Sequence, residues 1–345
     1  MQGVAEQLGV SRVAVSSVLN GRARQRGYSQ KMVEKVQAHL EQCGYVPSRH
    51  AIELRGGGVS RTGILHCGYL YSHLVEAFNL LVDCMMTEKE FLEPMMVREE
   101  QLLSGLQELI ARRVSKLVWF RTGIGRNTVG MEAFLPYLRQ FERVVIYNFG
   151  FGDEADEELL LAADVHLVGV NRFEGWKLLG GLLHKLGHRV VALPEHHADS
   201  SKWGPSSTIV RSLTMFGMKL FGCNSGVVSG QRTPQYARSL VDSLLALRRH
   251  HPITAACFGD DENAAHFMRE LLDRGIRIPE DLTVTGYDGM RFASALAVPL
   301  TTLAVPVEAM VSQVIRLLKG EGVQCRRCCH PFTLVERRSH GLAAT

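Results

Sequence analysis

The stretch SRVAVSSVLN, residues 11–20, gathers side chains that can read nucleic-acid bases: Ser11, Arg12, Val13, Ser16, Ser17 and Asn20. Arginine pairs with guanine edges, serine bonds to several bases, and a valine methyl meets the thymine methyl. A second group sits where apolar runs end. Cys67 and Tyr69 follow TGILHC, Arg121 follows KLVWF, Asn148 closes RVVIYN, and His196 follows RVVALP. Asp260 and Asp261 follow ITAACF, and Asp288 follows LTVTGY. These donors and acceptors suit a small polar molecule rather than a metal. For Asp260 and Asp261 the competing role is to cap a helix starting near Asn263. A third group, Cys325, Cys328, Cys329 and His330, contains one CxxC. A haem attachment motif needs His directly after the second Cys, and Cys329 stands there instead. A zinc site would need ligands from elsewhere. The favoured reading is a basic loop before a last strand, FTLVE. Oxidation of these thiols has no support beyond their number.

The elements that would carry the first group are helices. Val4, Ala5 and Leu8 are apolar at helical spacing, Gly9 interrupts, and Ser11 can cap a second helix with Val15, Val18 and Leu19 on one face. Two short helices joined by a tight turn containing glycine form a helix-turn-helix, whose second helix enters the major groove by its N-terminal end. Arg12, Val13, Ser16 and Ser17 fall on its outer face. Asn20-Gly21 ends that helix. Ser29 starts a third, with Met32, Val33, Val36 and Leu40 inward, and Gly44-Tyr45-Val46-Pro47 closes it. The loop RARQRGY, residues 22–28, can either reach a phosphate backbone or stay mobile.

The second group needs parallel sheets. Apolar strands are expected at 62–67, 91–97, 116–120, 143–148, 165–170, 189–194, 253–258 and 282–287. Helical segments are expected at 74–88, 99–113, 131–140, 172–187, 234–249 and 262–275. Short apolar strands alternating with amphipathic helices give an α/β core. In such sheets ligands lie beyond the carboxyl ends of the strands, where the polar residues above fall.

At 345 residues the chain has room for two or three domains. Residues 1–61 hold nine Lys/Arg against four acids, a net +5, while the whole chain carries +4. A basic head on a near-neutral body fits a head that meets phosphates. The eight cysteines lie mostly singly in apolar stretches and read as small buried hydrophobes kept reduced in a cytosol. No apolar run reaches the roughly 20 residues of a membrane span, and no signal peptide is evident, so a cytoplasmic location is expected. HKLGH lacks the glutamate of a zinc protease, Gly123-Ile124-Gly125 lacks a third glycine, and no GxSxG, Walker A or kinase pattern occurs. Nothing argues for catalysis, a cofactor or a bound metal.

VAEQLGVSRVAVSSVLNG, GYVPSRHAIELR, LGH, GDDENA, GYDG and PLTTL, spread along nearly the whole chain, resemble the lactose/galactose repressor family of bacterial transcription regulators. The resemblance implies an all-α helix-turn-helix head (1–46), a hinge (47–60) and a periplasmic-binding-protein-like core of two Rossmann-like lobes (61–345). The crossings between lobes are expected near 163, near 290–300 and near 320. It implies a homodimer, or a tetramer, on double-stranded operator DNA, with Leu54 wedging into the minor groove beside Ala51 and Arg55. Gly56-Gly57-Gly58 equally suits a flexible tether. A small-molecule effector, a sugar among the candidates, is expected between the lobes at Cys67, Tyr69, Arg121, Asn148, Asp261 and Asp288. Asp261 matches the acid that relatives use for a sugar hydroxyl. Where relatives place an arginine in a lobe-two helix this chain has Thr214, and Arg211, one turn earlier, is the substitute. Only three residues precede Val4, fewer than is usual, so either the start lies upstream or the head is less stable. The alternative is a solute-binding protein of the same core fold without DNA activity, against which residues 1–55 argue.

Overall fold

The computed structural model describes residues 2–19, 22–42, 61–68, 70, 72–87, 90–121, 130–151, 156–194, 204–224 and 233–344. Contacts divide the chain into two compact units, residues 1–59 and 60–345.

The first unit contains α1 (Gln2–Leu8), α2 (Arg12–Leu19) and α3 (Gln30–Gln42). Gly9, at φ +63°, makes the turn between the first two helices, a backbone conformation that a side chain resists. Ser11 caps α2, its Oγ accepting from the Ala14 N–H at 3.1 Å. Val4, Ala5, Val15, Val18, Ala23, Val36 and Leu40 form the small core. The loop after α2 turns back on itself: the Arg22 N–H donates to the Ser17 carbonyl, the Tyr28 N–H donates to the Ala23 carbonyl, and Ala23 is buried.

Among the described residues the second unit has two six-stranded sheets. In chain order its first part runs β1 (Arg61–Cys67), α4 (His73–Thr87), β2 (Phe91–Val97), α5 (Leu102–Ala111), β3 (Lys116–Phe120), α6 (Leu135–Leu138), β4 (Arg143–Gly150), α7 (Glu157–Ala162) and β5 (His166–Val170). The second part runs α8 (Arg172–Lys185), β6 (Val190–Pro194), α9 (Gly204–Thr214), β7 (Lys219–Cys223), α10 (Pro234–Arg248), β8 (Ala255–Cys257), α11 (Asp261–Asp273), β9 (Thr283–Asp288) and β10 (Thr301–Ala304). The chain then gives α12 (Val307–Lys319) and β11 (Arg327–His330) to the first lobe and β12 (Thr333–Val335) to the second.

The first sheet has strand order β11-β5-β4-β3-β1-β2, all parallel; the second has β12-β10-β9-β8-β6-β7, with only β12 antiparallel. Side chains alternate across each strand, so neighbours feed opposite cores. Leu65, Leu117, Trp119 and Ile146 pack on one face of the first sheet. Ile64, Val118, Phe120 and Tyr147 pack on the other, in a core that continues through Trp176, Tyr287 and Leu303 into the second lobe. This continuity joins the lobes into one body.

Three expectations change. The crossings fall at the ends of β5, β10 and β11, near 171, 305 and 331, later than expected. At 163–164 the chain makes a tight turn, with Asp164 at φ +65°, and re-enters the same sheet because β5 pairs with β4. Residues 327–330, expected as loop, are an edge strand parallel to β5. Strands 219–223 and 301–304 and helix 307–319 were not foreseen. That helix is strongly amphipathic, burying Val307, Met310, Val311, Val314, Leu317 and Leu318, and Gly320 ends it at φ +87°.

Candidate functional site

At the N-terminal end of α2 the cap residue Ser11 is exposed, as are Arg12 and Val13 in the helix, the last 53% accessible. Ser16 is half-buried. Ser17, expected on the outer face, is buried and donates its Oγ–H to the Val13 carbonyl at 2.7 Å, so it supports the helix rather than reading bases. Asn20, Ala51, Leu54 and Arg55 lie outside the described residues.

In the second unit the strand ends bring a polar cluster together between the lobes. Asn148 is the extra residue of a bulge in β4, where the register to β5 shifts between Tyr147 and Phe149, and it holds φ +68°. Its Nδ2 donates to the Arg121 carbonyl at 2.8 Å, which fixes its Oδ1 toward His73 Nε2 at 3.3 Å. His73 is the first residue of α4, in lobe one. Its Nδ1 lies 2.7 Å from Oδ1 of Asp288, which closes β9 in lobe two at φ +110°. Both ring nitrogens therefore face side-chain oxygens, one from each lobe. Burial raises the Asp288 pKa above the usual carboxylate range, and the nearby His73 pulls it partly back. Arg121 is buried, pairs with Asp156 at 3.0 Å and lies over the Phe149 ring at 5.6 Å. An outer ion pair, Arg291 with Glu76 at 2.9 Å, also joins the lobes.

Asp261 lies within lobe two and is fully buried. Its Oδ1 accepts from Thr302 Oγ1 at 2.6 Å and its Oδ2 from the Met290 N–H at 2.7 Å. It thus ties α11 to β10 and to the turn after β9. Burial pushes its pKa up to about 7 against the pull of those two bonds. Asp260 is the helix cap, accepting from both the Asn263 N–H and its Nδ2 at 2.7 Å.

Residues 181–340 match the periplasmic binding protein-like domain family. Over 350 residues the chain is 25% identical to the HTH-type transcriptional repressor PurR of Yersinia enterocolitica, covering 98% of this chain and 96% of that one. It is 24% identical to the lactose operon repressor of Escherichia coli, over 97% and 89% of the two chains. The crystal structure of the lac repressor dimer bound to operator and the anti-inducer ONPF matches with a TM-score of 0.72 over 97% of each chain, at 20% identity. The similarity runs end to end, through helical head and two-lobed body alike. The chain is similar over nearly its whole length to repressors of the lactose/galactose repressor family.

Its repressor relatives are regulators rather than enzymes. Against this family frame the expected effector residues separate. Asn148 and Asp288 converge on His73, whereas Arg121 joins them through its carbonyl alone and turns its side chain to Asp156. Cys67 instead packs toward the α5 side of the first sheet, its thiol pKa raised by burial and then by Glu99 and Glu100. Arg211 is exposed on α9 and lies over the Phe173 ring at 5.0 Å. Tyr69 and His196 lie outside the described residues. His73 itself was missed. The available signal was its place after β1, at the start of a helix, where the strand-end rule already applied.

Proposed function

We propose that this chain is a cytoplasmic repressor that holds a palindromic operator as a homodimer and changes its grip when a small polar molecule, a sugar first among candidates, binds between the lobes. The interlobe cluster of His73, Asn148 and Asp288 is what carries this assignment, because those side chains offer donors and acceptors to both lobes at once. A molecule that replaced these contacts would shift lobe closure only by its differential affinity for the two arrangements. Operator affinity then changes by the same coupling factor that operator exerts on the effector. Arg121, Asn148 and Asp288 would hold the effector, with Asp261 fixing the turn that carries Asp288. In the head, Arg12 and Val13 would read bases while Arg22, Arg24, Arg26 and Lys31, all exposed, meet phosphates.

Two measurements test this. Fluorescence anisotropy of full-length protein with duplexes from the gene's own upstream region should show specific binding that weakens steeply with salt. Absence of binding to any duplex at low ionic strength would remove the regulator assignment. A thermal-shift screen of sugars and related metabolites should find a ligand that raises the melting temperature, since binding to the folded state adds stability. A hit insensitive to Asp288→Asn would remove the interlobe site. For the hinge, Leu54→Ala should weaken operator binding far more than non-specific binding; equal losses would dismiss the wedge.

A further inference from the structure

Cys325 and Cys328 lie where the chain enters β11, and their sulfurs are 3.6 Å apart. Cys325 is exposed and Cys328 is buried. The Cys328 thiol also reaches the Cys325 carbonyl at 3.3 Å, and the Cys325 thiol reaches the Arg327 carbonyl at 3.4 Å. The loop that holds them is pinned to lobe one. The Leu167 N–H donates to the Arg326 carbonyl at 2.7 Å, and the Cys325 N–H to the Gly322 carbonyl at 3.0 Å. Arg326 pairs with Asp164 at 2.6 Å, Arg327 with Glu157 at 2.5 Å, and His166 hydrogen-bonds to the Cys325 backbone. Joining the sulfurs at about 2.05 Å needs them to close by only about 1.5 Å, within reach of side-chain rotation. Cys329 is a poor rival: alternation along β11 leaves it exposed on the opposite face from Cys328.

We propose that Cys325 and Cys328 are a reversible redox pair that hydroperoxides oxidise to an intramolecular disulfide at the edge of lobe one. The exposed Cys325 meets the oxidant. Its thiolate attacks the terminal oxygen of ROOH, the O–O bond breaks, and RO⁻ leaves and takes up a proton as ROH. Cys325 is now a sulfenic acid. The Cys328 sulfur then attacks the Cys325 sulfur, the S–O bond breaks, and the departing hydroxide leaves with the Cys328 proton as water. Two thiols lose two electrons to one hydroperoxide, giving a disulfide, an alcohol and water. Burial, with Cys325 beside it, raises the Cys328 thiol to about 12, which leaves the first attack to Cys325. The disulfide would fasten the loop after α12 to the strand that leads into the last lobe crossing.

The test uses the full-length reduced protein with one equivalent of hydrogen peroxide, N-ethylmaleimide trapping and peptide mass mapping. The expected product is a Cys325–Cys328 cross-link, with loss of two maleimide labels and full recovery under dithiothreitol. Cys329→Ser should leave the cross-link intact, whereas Cys325→Ser, at an exposed position, should abolish it with an unchanged melting temperature. Overturning results are Cys325 advancing to sulfinic acid while Cys328 stays alkylatable, a cross-link to Cys329 or between chains, or both thiols unreacted when other cysteines have oxidised.

Discussion

Asp261 opens α11 and Asp288 closes β9, yet only Asp288 faces the other lobe. The pKa of Asp261 stands near 7 in the folded chain against 3.8 for the free side chain. Below about pH 4 both states hold the proton. Between 3.8 and 7 the unfolded chain releases it first, so stability falls as pH rises, and the cost is complete above about 7. Asp261→Asn should flatten that decline, with a residual slope from Asp288, whose pKa is raised in the same direction. Urea midpoints from pH 4 to 8 check it; an unchanged slope would show that Asp261 is not the titrating group. On the head, Arg12 is the exposed cation at the front of α2. Arg12→Ala should relax preference at one base position by about 1–3 kcal/mol, read as a degenerate column in binding-site selection. An unaltered consensus would assign Arg12 to the phosphates instead.

At the scale of elements, the bulge in β4 does the positioning. It turns Asn148 out of the ladder toward α4, and β5 must let the bulged backbone come close. Gly169 is the residue that allows this: a Cβ there would collide with the Phe149 backbone, which cannot rotate away as a side chain can. Gly169→Ala should therefore destabilise the body by about 1–3 kcal/mol, as overpacking does, and also displace Asn148. Chemical denaturation measures the first effect. Effector titration measures the second, which should persist at temperatures where the variant is fully folded. Normal stability with normal titration would mean the bulge relaxes freely.

At the scale of the whole molecule, the two lobes share one apolar core and a polar clasp. The Glu76–Arg291 pair is too exposed to contribute much. The His73–Asp288 pair is buried, and removing one partner leaves a charge stranded, typically at a cost of about 3–5 kcal/mol. His73→Ala should thus open or loosen the lobes at pH 8 and do so less at pH 5. The sign follows from Asp288: without its partner the acid's pKa rises further, so protonation at low pH relieves the strain and deprotonation at high pH restores it. Small-angle scattering of the full chain at both pH values, with effector response alongside, checks this. A radius of gyration that matches the parent at pH 8 would show that the apolar core alone sets closure.

Much of this was written in local pattern. The Gly9 turn, the Ser11 cap and the inward Val15 and Val36 follow from helical spacing, and the apolar strands from short runs between helices. The strand-end positions of Arg121, Asn148 and Asp288, though not a role for them, were legible because a parallel sheet presents its carboxyl ends to one side. What the chain could not announce alone is which end meets which. Lobe membership of β5 and β11 depends on hydrogen bonds to distant strands, which leave no periodic trace. His73 reaches Asp288 across 215 positions in sequence, and Ser17 turns inward because its hydroxyl found the Val13 carbonyl. Asp261 and Asp288 look alike in GDDENA and GYDG; only packing decides that one is a tie within a lobe and the other half of a clasp. Side-chain type and spacing select elements through local sterics, but partners separated by many residues are chosen by burial in three dimensions.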